Sequence, residues 1–105
     1  MTFSLTESLH ADFSEVYTMY EQRRRGDEEA FQGLFKRAIQ AIHSTPRLHS
    51  LVDDEYPGRE VREYFIKRFG QRILYSIEGE TLVVFAIVHA TRRPSAWHRR
   101  LDTFQ

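Results

Sequence analysis

Three residues at the end of an apolar run have side chains suited to moving a proton or binding an anion. His89 follows the run, and Arg92 and Arg93 come next, directly before Pro94. Histidine exchanges protons near neutral pH, and the planar guanidinium of arginine suits phosphate and carboxylate groups. Pro94 stiffens the turn by fixing its own φ. The spacing predicts a rigid turn that presents Arg92 to an anionic partner, either a phosphate of RNA or a carboxylate of a protein.

Trp97 and His98 lie a few residues further along the chain. An indole can stack on an unpaired base for about 1–3 kcal/mol, and His98 is a second acid–base candidate beside His89. The structural alternatives are that Trp97 packs the tail onto the core and that His89 only forms a hydrogen bond that ends its strand. The sequence leaves both interpretations open.

The bulk composition is that of one compact globular domain spanning residues 1–105. Hydrophobic residues make up 41% of the chain, and eight Phe and five Tyr can supply a core. The chain has no cysteine, which excludes a disulfide framework and a thiolate metal site. We expect no cofactor and no metal.

The net charge is zero, but the two halves differ. Residues 1–55 carry six Lys or Arg and ten Asp or Glu, whereas residues 56–105 carry nine and five. Thirteen of the fifteen basic residues are arginine. This distribution favours one negative and one positive face, although ordinary solvated surface charge explains it as well.

The N-terminus lacks the basic and apolar pattern of a signal peptide. The longest apolar run, Leu82–Val88, is far shorter than the roughly 20 residues that cross a bilayer. We therefore expect a cytoplasmic protein without a membrane partner.

Local periodicity predicts an N-terminal strand and two helices. Thr2–Glu7 alternates like a strand, and a helix with one apolar face should run from about Ser8 to Arg24. Asp27 is a good N-cap for a second helix that ends near Pro46. The short link predicts an antiparallel helical hairpin. The residues expected in the core are Phe13, Val16, Leu34, Ile39, Val84 and Ala86.

The second half of the chain predicts three antiparallel strands. Thr45–Gly58, with Pro46, Asp53, Asp54 and Pro57, is expected to be a loop. The strands are Val61–Phe69, Arg72–Glu78 and Thr81–His89, joined by turns at Gly70-Gln71 and Gly79-Glu80. A basic tail, Ala90–Gln105, follows, and Pro94 is expected to begin a short helix that contains Trp97, Arg99 and Arg100. The fold class is α+β, with a sheet of about four strands in the order β-α-α-β-β-β.

The last strand is apolar on both faces, whereas one helical hairpin covers only one face of a sheet. Either the tail or a partner protein must cover the other face. The residues assigned to this partner groove are Leu74, Val83, Phe85 and Ile87.

The order of elements and three sequence segments resemble the RelE/ParE toxin superfamily. The segments are Val61–Phe65 (VREYF), Arg72–Tyr75 (RILY) and Val83–His89 (VVFAIVH). The ending His89–Trp97 (HATRRPSAW) is similar to the ParE-type, plasmid-stabilisation branch, in which the last strand tends to end in His-x-x-Arg followed by Pro and an aromatic residue.

The resemblance implies a small twisted sheet backed by a helical hairpin, and an antitoxin that wraps and neutralises the toxin. Toxins of the RelE branch cut messenger RNA on the ribosome. Characterised ParE toxins instead poison DNA gyrase and are not enzymes.

The resemblance also implies site residues. If the chain is a metal-independent nuclease, Arg72, His89 and Arg92 are its catalytic candidates. Arg62, Arg92, Arg93 and Trp97 are candidates for binding a target. The alternative for Arg62 is an ion pair with Glu60 or Glu63, and for Arg72 an ion pair with Glu78.

The chain departs from the RelE pattern in two respects. Many toxins of the superfamily are basic, whereas this chain is neutral, which argues against strong nonspecific RNA binding. Trp97 stands roughly where RelE has a catalytic tyrosine, and an indole cannot perform that proton transfer. Three functions remain: a ParE-like binder of a target such as gyrase, a RelE-like ribosome-dependent ribonuclease, and an inactive module that binds only its antitoxin.

Overall fold

A computed structural model describes residues 1–52, 58–93 and 95–103. Two long helices precede most of a five-stranded sheet. The elements are β1 (Thr2–Leu5), α1 (Glu7–Arg23), α2 (Asp27–Ser44), β2 (Ser50–Leu51), β3 (Glu60–Ile66), β4 (Gln71–Glu78), β5 (Thr81–His89), α3 (Ser95–His98) and a 3-10 turn (Arg99–Asp102). The predicted tail began at Ala90; from here on, the tail means residues 95–103, which form α3 and the 3-10 turn.

The helical hairpin depends on a left-handed residue in its short link. α1 begins after Thr6, whose hydroxyl accepts a hydrogen bond from the Leu9 N–H at 3.1 Å. Arg24 leaves the helix with φ −153°, and Gly26 caps α2 with φ +98°, a conformation that glycine adopts at least cost. The prediction that Asp27 is the N-cap is therefore wrong by one residue, since Asp27 is the first residue of α2.

The strand order across the sheet is β1-β5-β4-β3-β2. β1 pairs with β5 in parallel, and the remaining neighbours are antiparallel. The expected count of about four strands is one too few, because Ser50–Leu51 lies in the stretch predicted to be a loop and pairs with β3 as β2. Two residues are too few to produce a periodic pattern. Asp53, Asp54 and Pro57 of that predicted loop, and Pro94 of the predicted helix start, lie outside the described residues.

A β-bulge interrupts the pairing of β4 with β5. Leu74 pairs with Ala86, but the next residue, Tyr75, pairs with Val84. Phe85 is therefore an extra residue in β5, and the alternation of side chains changes phase at this point.

Each face of the sheet carries its own apolar cluster. The hairpin face holds Leu9, Tyr20, Phe31, Ala38, Ile42, Ile66, Ile73, Tyr75, Ile77, Leu82, Val84 and Ile87. The opposite face, which we call the tail face, holds Val61, Leu74, Phe85, Ala86, Val88, Trp97 and Leu101. The sequence predicted that either the tail or a partner protein covers this second face. In the structure the chain's own tail packs on it through Trp97 and Leu101.

The predicted core is only partly correct. Val84 and Ala86 are fully buried. Phe13, Val16, Leu34 and Ile39 pack against the hairpin-face cluster but are only partly buried. The helices point Leu9, Phe31, Ala38 and Ile42 more directly at the sheet, because a wide apolar stripe contacts a flat sheet mainly along its centre.

Candidate functional site

A groove runs along α1, between this helix and the end of β5. Its volume is about 830 Å³. The turn between β3 and β4 bounds one end, and Arg100 of the tail bounds the other. We call it the α1–β5 groove and define it by Asp12, Glu15, Tyr20, Arg24, Gln71, His89, Arg92 and Arg100.

The floor of the groove contains a buried amide that is only half satisfied. Gln71 is 3% exposed, and its Nε2 donates to the Tyr20 hydroxyl at 3.1 Å. That hydroxyl lies 3.4 Å from the carbonyl oxygen of Phe69 and donates to it. Gln71 Oε1 has no hydrogen-bond partner among the described residues.

His89 stands at the rim of the groove with its ring orientation set by local contacts. The Thr91 N–H donates to His89 Nδ1 at 3.2 Å, and the Thr91 hydroxyl lies 2.8 Å from the same nitrogen. Since Nδ1 accepts the backbone hydrogen bond, the neutral ring carries its proton on Nε2. Gly70, with φ +67°, lies so close that a Cβ there would be 3.0 Å from Nε2. Gly70 therefore allows the ring to occupy this position.

Cations converge on the same end of the groove from distant parts of the sequence. Arg23 and Arg24 come from the end of α1, and Arg92 comes from the turn after β5. Within the described ranges, none of these three forms an ion pair. Arg68 also lines this end, where its Nη2 lies 3.9 Å from Asp27 Oδ1.

The opposite end of the groove is acidic and is tied to the tail. Arg100 Nη1 lies 2.5 Å from Asp12 Oδ2, and its Nη2 lies 2.9 Å from Asp12 Oδ1. The hydrogen bond that Arg100 donates to Asp12 raises the pKa of Arg100, although burial opposes the shift, and the nearby Glu15 carboxylate raises this pKa further. Among the described residues that line this end, Arg100 is thus the basic partner of both Asp12 and Glu15.

The structure separates Arg72 from the other nuclease candidates. His89 pairs with Gln71 across the β4–β5 ladder, so these two side chains share a face, and Arg72 points to the opposite one. Arg72 also forms an ion pair with Glu63 of β3. The structural alternative in the sequence analysis had named Glu78 as its partner. His89 and Arg92 are therefore together in the groove, and Arg72 is not with them.

Arg62 does not line the groove and contacts Glu60 and His49 instead. Its Nε lies 2.8 Å from Glu60 Oε2, which confirms the expected pair, and its Nη1 donates to the His49 carbonyl at 2.5 Å. The exposed fraction of its side chain is 15%. Arg93 is exposed but is not among the residues that line the groove.

The tail buries Trp97 and leaves His98 partly exposed. Trp97 is fully buried, with its ring centroid 5.9 Å from that of Phe85. The His98 ring meets the Trp97 ring edge-on at 4.4 Å. In this conformation Trp97 presents no face to a base, and its burial agrees with the packing interpretation.

The four residues assigned to a partner groove do not form one surface. Leu74 and Phe85 lie on the tail face beside Trp97. Ile87 instead joins the hairpin-face cluster, because the bulge at Phe85 reverses the alternation beyond it. Val83 is 6% exposed, so all four side chains are already covered within the chain.

Sequence reasoning missed Asp12, Gln71 and Arg100 as groove residues. Asp12 and Arg100 are 88 residues apart, and no local pattern relates them. Gln71 lies in what was predicted to be a turn, so its burial as the first residue of β4 depends on the register with β5.

Two further features bear on function. No cluster of three or more metal-binding side chains occurs in the part of the chain that the structure describes. Among the same residues, no helix has both the length and the apolarity to cross a membrane.

Comparisons with known proteins support the fold. No protein-family model matches the chain, and no curated protein matches it. The structure is similar to a chain of the solved structure described as "Chromosomal ParDE TA system from P. aeruginosa", with a TM-score of 0.66 and 19% identity over 85% of this chain and 95% of that chain. At this identity the likeness is one of fold, and it confirms the predicted α+β architecture.

Proposed function

We propose that the chain is the toxin component of a type II toxin–antitoxin system. In this proposal it arrests growth by binding an essential macromolecule through the α1–β5 groove, and a cognate antitoxin neutralises it. The fold likeness to the ParDE structure supports the assignment, and so does the ending His89–Trp97 with its His-x-x-Arg-Arg-Pro pattern.

The separation of Arg72 from His89 favours binding over RNA cleavage. Cleavage without a metal needs a base, an acid and cations around one phosphate. Of the three catalytic candidates, Arg72 faces the other side of the sheet and is paired with Glu63. Trp97 is buried and cannot take the place of a proton-transfer group. This arrangement is the single observation that carries the choice of a ParE-like binder.

DNA gyrase is the target that the ParE-type ending implies, and we propose it on that basis. Arg23, Arg24 and Arg92 form no ion pair with another described residue, and they suit a protein surface that carries carboxylates. The net charge of zero also favours a protein target, because a neutral chain gains little from general phosphate neutralisation.

A ribosome-dependent ribonuclease is the second candidate. His89 and Arg92 line the same groove, so one acid–base group and one phosphate-binding group are close together. This function requires the remaining groups to come from other residues or from the ribosome.

One induction experiment tests these alternatives. The intact chain is expressed from a tightly controlled promoter, and growth, plasmid supercoiling and transcript integrity are followed in the same cultures. The proposal expects growth arrest and altered supercoiling while transcripts stay intact. Early transcript cleavage with normal supercoiling would favour the ribonuclease. Unimpeded growth would identify an inactive module.

A further inference from the structure

We infer that the α1–β5 groove takes up an extended segment of a partner polypeptide with acidic residues at one end and a basic residue at the other. This inference deepens the proposed function, since it names the chemistry of the partner at the same site.

The dimensions of the groove suit a short extended segment. Its wall runs along α1 from Asp12 to Arg24, which at 1.5 Å per residue is about 18 Å. An extended chain rises by roughly 3.3 Å per residue, so about five or six residues span this length.

The charges of the groove have a clear polarity. At one end the lining residues include Arg23, Arg24, Arg68 and Arg92 together with one acidic residue, Asp27, which lies 3.9 Å from Arg68. At the other end Asp12 and Glu15 lie beside Arg100, and Asp12 already accepts two hydrogen bonds from it. Glu15 is therefore the carboxylate with charge to offer a partner. The two ends select opposite charges.

The middle of the groove combines apolar side chains with an unmet hydrogen bond. Val16 and Met19 of α1 line it between the two charged ends, and they suit apolar side chains of the segment. Gln71 Oε1 is buried there and has no partner among the described residues.

The polarity favours a polypeptide over a nucleic acid. A single strand carries a phosphate at every nucleotide, so a strand that filled the groove would bring negative charge to Asp12 and Glu15 as well as to the arginines. Like charges at the acidic end oppose such a strand, whereas a peptide can match both ends at once.

Selection from a random peptide library tests this inference. Peptides of about twelve residues, twice the span of the groove, are selected on the intact folded protein. We expect the selected sequences to carry Asp or Glu at one end and Lys or Arg at the other. Their binding should perturb the amide signals of Gln71 in NMR spectra.

Two variant pairs locate the contact. Arg24→Ala with Arg92→Ala should weaken the selected peptides by at least about tenfold. Lys36→Ala with Arg37→Ala, two exposed positions of α2 outside the groove, should leave them unchanged. Glu15→Lys should shift the preference toward peptides that are acidic at both ends.

Three outcomes would overturn the inference. The first is that selection yields no more peptides on the wild type than on the Arg24→Ala/Arg92→Ala protein. The second is that the selected peptides show no charge polarity. The third is that an RNA strand of about six nucleotides competes with them for the groove. The induction experiment is independent of this one. Arg92-dependent growth arrest without peptide binding would refute only the inference, and peptide binding without growth arrest would refute only the toxin function.

Discussion

Asp12 of α1 and Arg100 of the tail, 88 residues apart in sequence, form a bidentate ion pair with N–O distances of 2.5 and 2.9 Å. Both residues also bond to the backbone of β5 around the bulge. Asp12 Oδ2 accepts a hydrogen bond from the Ile87 N–H at 2.9 Å, and Arg100 Nη1 donates to the Phe85 carbonyl at 3.0 Å. One pair thus ties the helix, the irregular strand and the tail together and forms the acidic end of the groove.

Asp12→Ala should loosen the tail. It leaves the Arg100 guanidinium and the Ile87 N–H without their partner, and we expect a loss of about 1–3 kcal/mol in the free energy of unfolding. Trp97 is the only tryptophan, so a red shift of its fluorescence before global unfolding would report the loosening. Glu21→Ala, an exposed change on the same helix, is the control. Unchanged emission and stability in Asp12→Ala would contradict this role.

Trp97→Ala should destabilise the whole domain. The side chain is fully buried against Phe85 and Leu101, and removal of such an aromatic residue costs about 3–5 kcal/mol. Leu48→Ala, at a position that is 78% exposed, should change stability by less than about 0.5 kcal/mol. Urea melts of both variants measure the difference. Similar midpoints would show that the tail does not contribute to the core.

Ile42→Ala and Ile39→Ala should differ in cost. Ile42 is fully buried in the hairpin-face cluster, whereas Ile39 is only partly buried. We expect about 2–5 kcal/mol for Ile42→Ala and a smaller loss for Ile39→Ala, because less apolar surface leaves contact. Equal losses in thermal melts would mean that α2 packs with a different rotation.

Glu60 should contribute stability that depends on pH. Burial raises the pKa of Glu60, but hydrogen bonds from Arg62 and Arg47 together lower it by more than burial raises it. The net shift is therefore downward from 4.5. A carboxyl whose pKa is lower in the folded state than in the unfolded state stabilises the fold at pH values above its unfolded-state pKa. This contribution is lost as the pH falls through its folded-state pKa. The free energy of unfolding should therefore fall less steeply in Glu60→Gln than in the wild type between about pH 5 and pH 3. Parallel curves would refute the shift.

Arg92→Ala should abolish growth arrest while leaving thermal stability nearly unchanged, since Arg92 is exposed and substitutions of that kind usually shift stability by about 0.5 kcal/mol or less. Arg37→Ala, an exposed change on α2, should remain fully toxic. Full toxicity of Arg92→Ala, or its unfolding, would remove Arg92 from the site.

His89→Gln should retain toxicity if the chain acts by binding. Glutamine keeps a hydrogen-bonding side chain beside Thr91 but cannot exchange a proton near neutral pH. Loss of growth arrest together with loss of transcript cleavage would instead favour the ribonuclease.

The sequence alone determined the elements whose signals are local. Two amphipathic stripes placed α1 and α2 within one or two residues of their observed ends, because residues three and four apart share a helix face. Thr81–His89 was predicted with its observed bounds, and its apolar residues on both faces required a second cover. The same local reading placed His89 and Arg92 near each other, because only two residues separate them.

Only the tertiary structure decided which distant residues meet. The bulge at Phe85 placed Ile87 on the hairpin face, and the pairing of β4 with β5 placed Arg72 on the face of the sheet opposite to that of His89. Because side chains alternate with a period of two, a single inserted residue reverses every later assignment, and no feature of the sequence marked the insertion. The partnership of Asp12 with Arg100 and the charge polarity of the groove likewise depend on how α1 and the tail lie on the sheet, a long-range arrangement that periodicity along the chain does not contain.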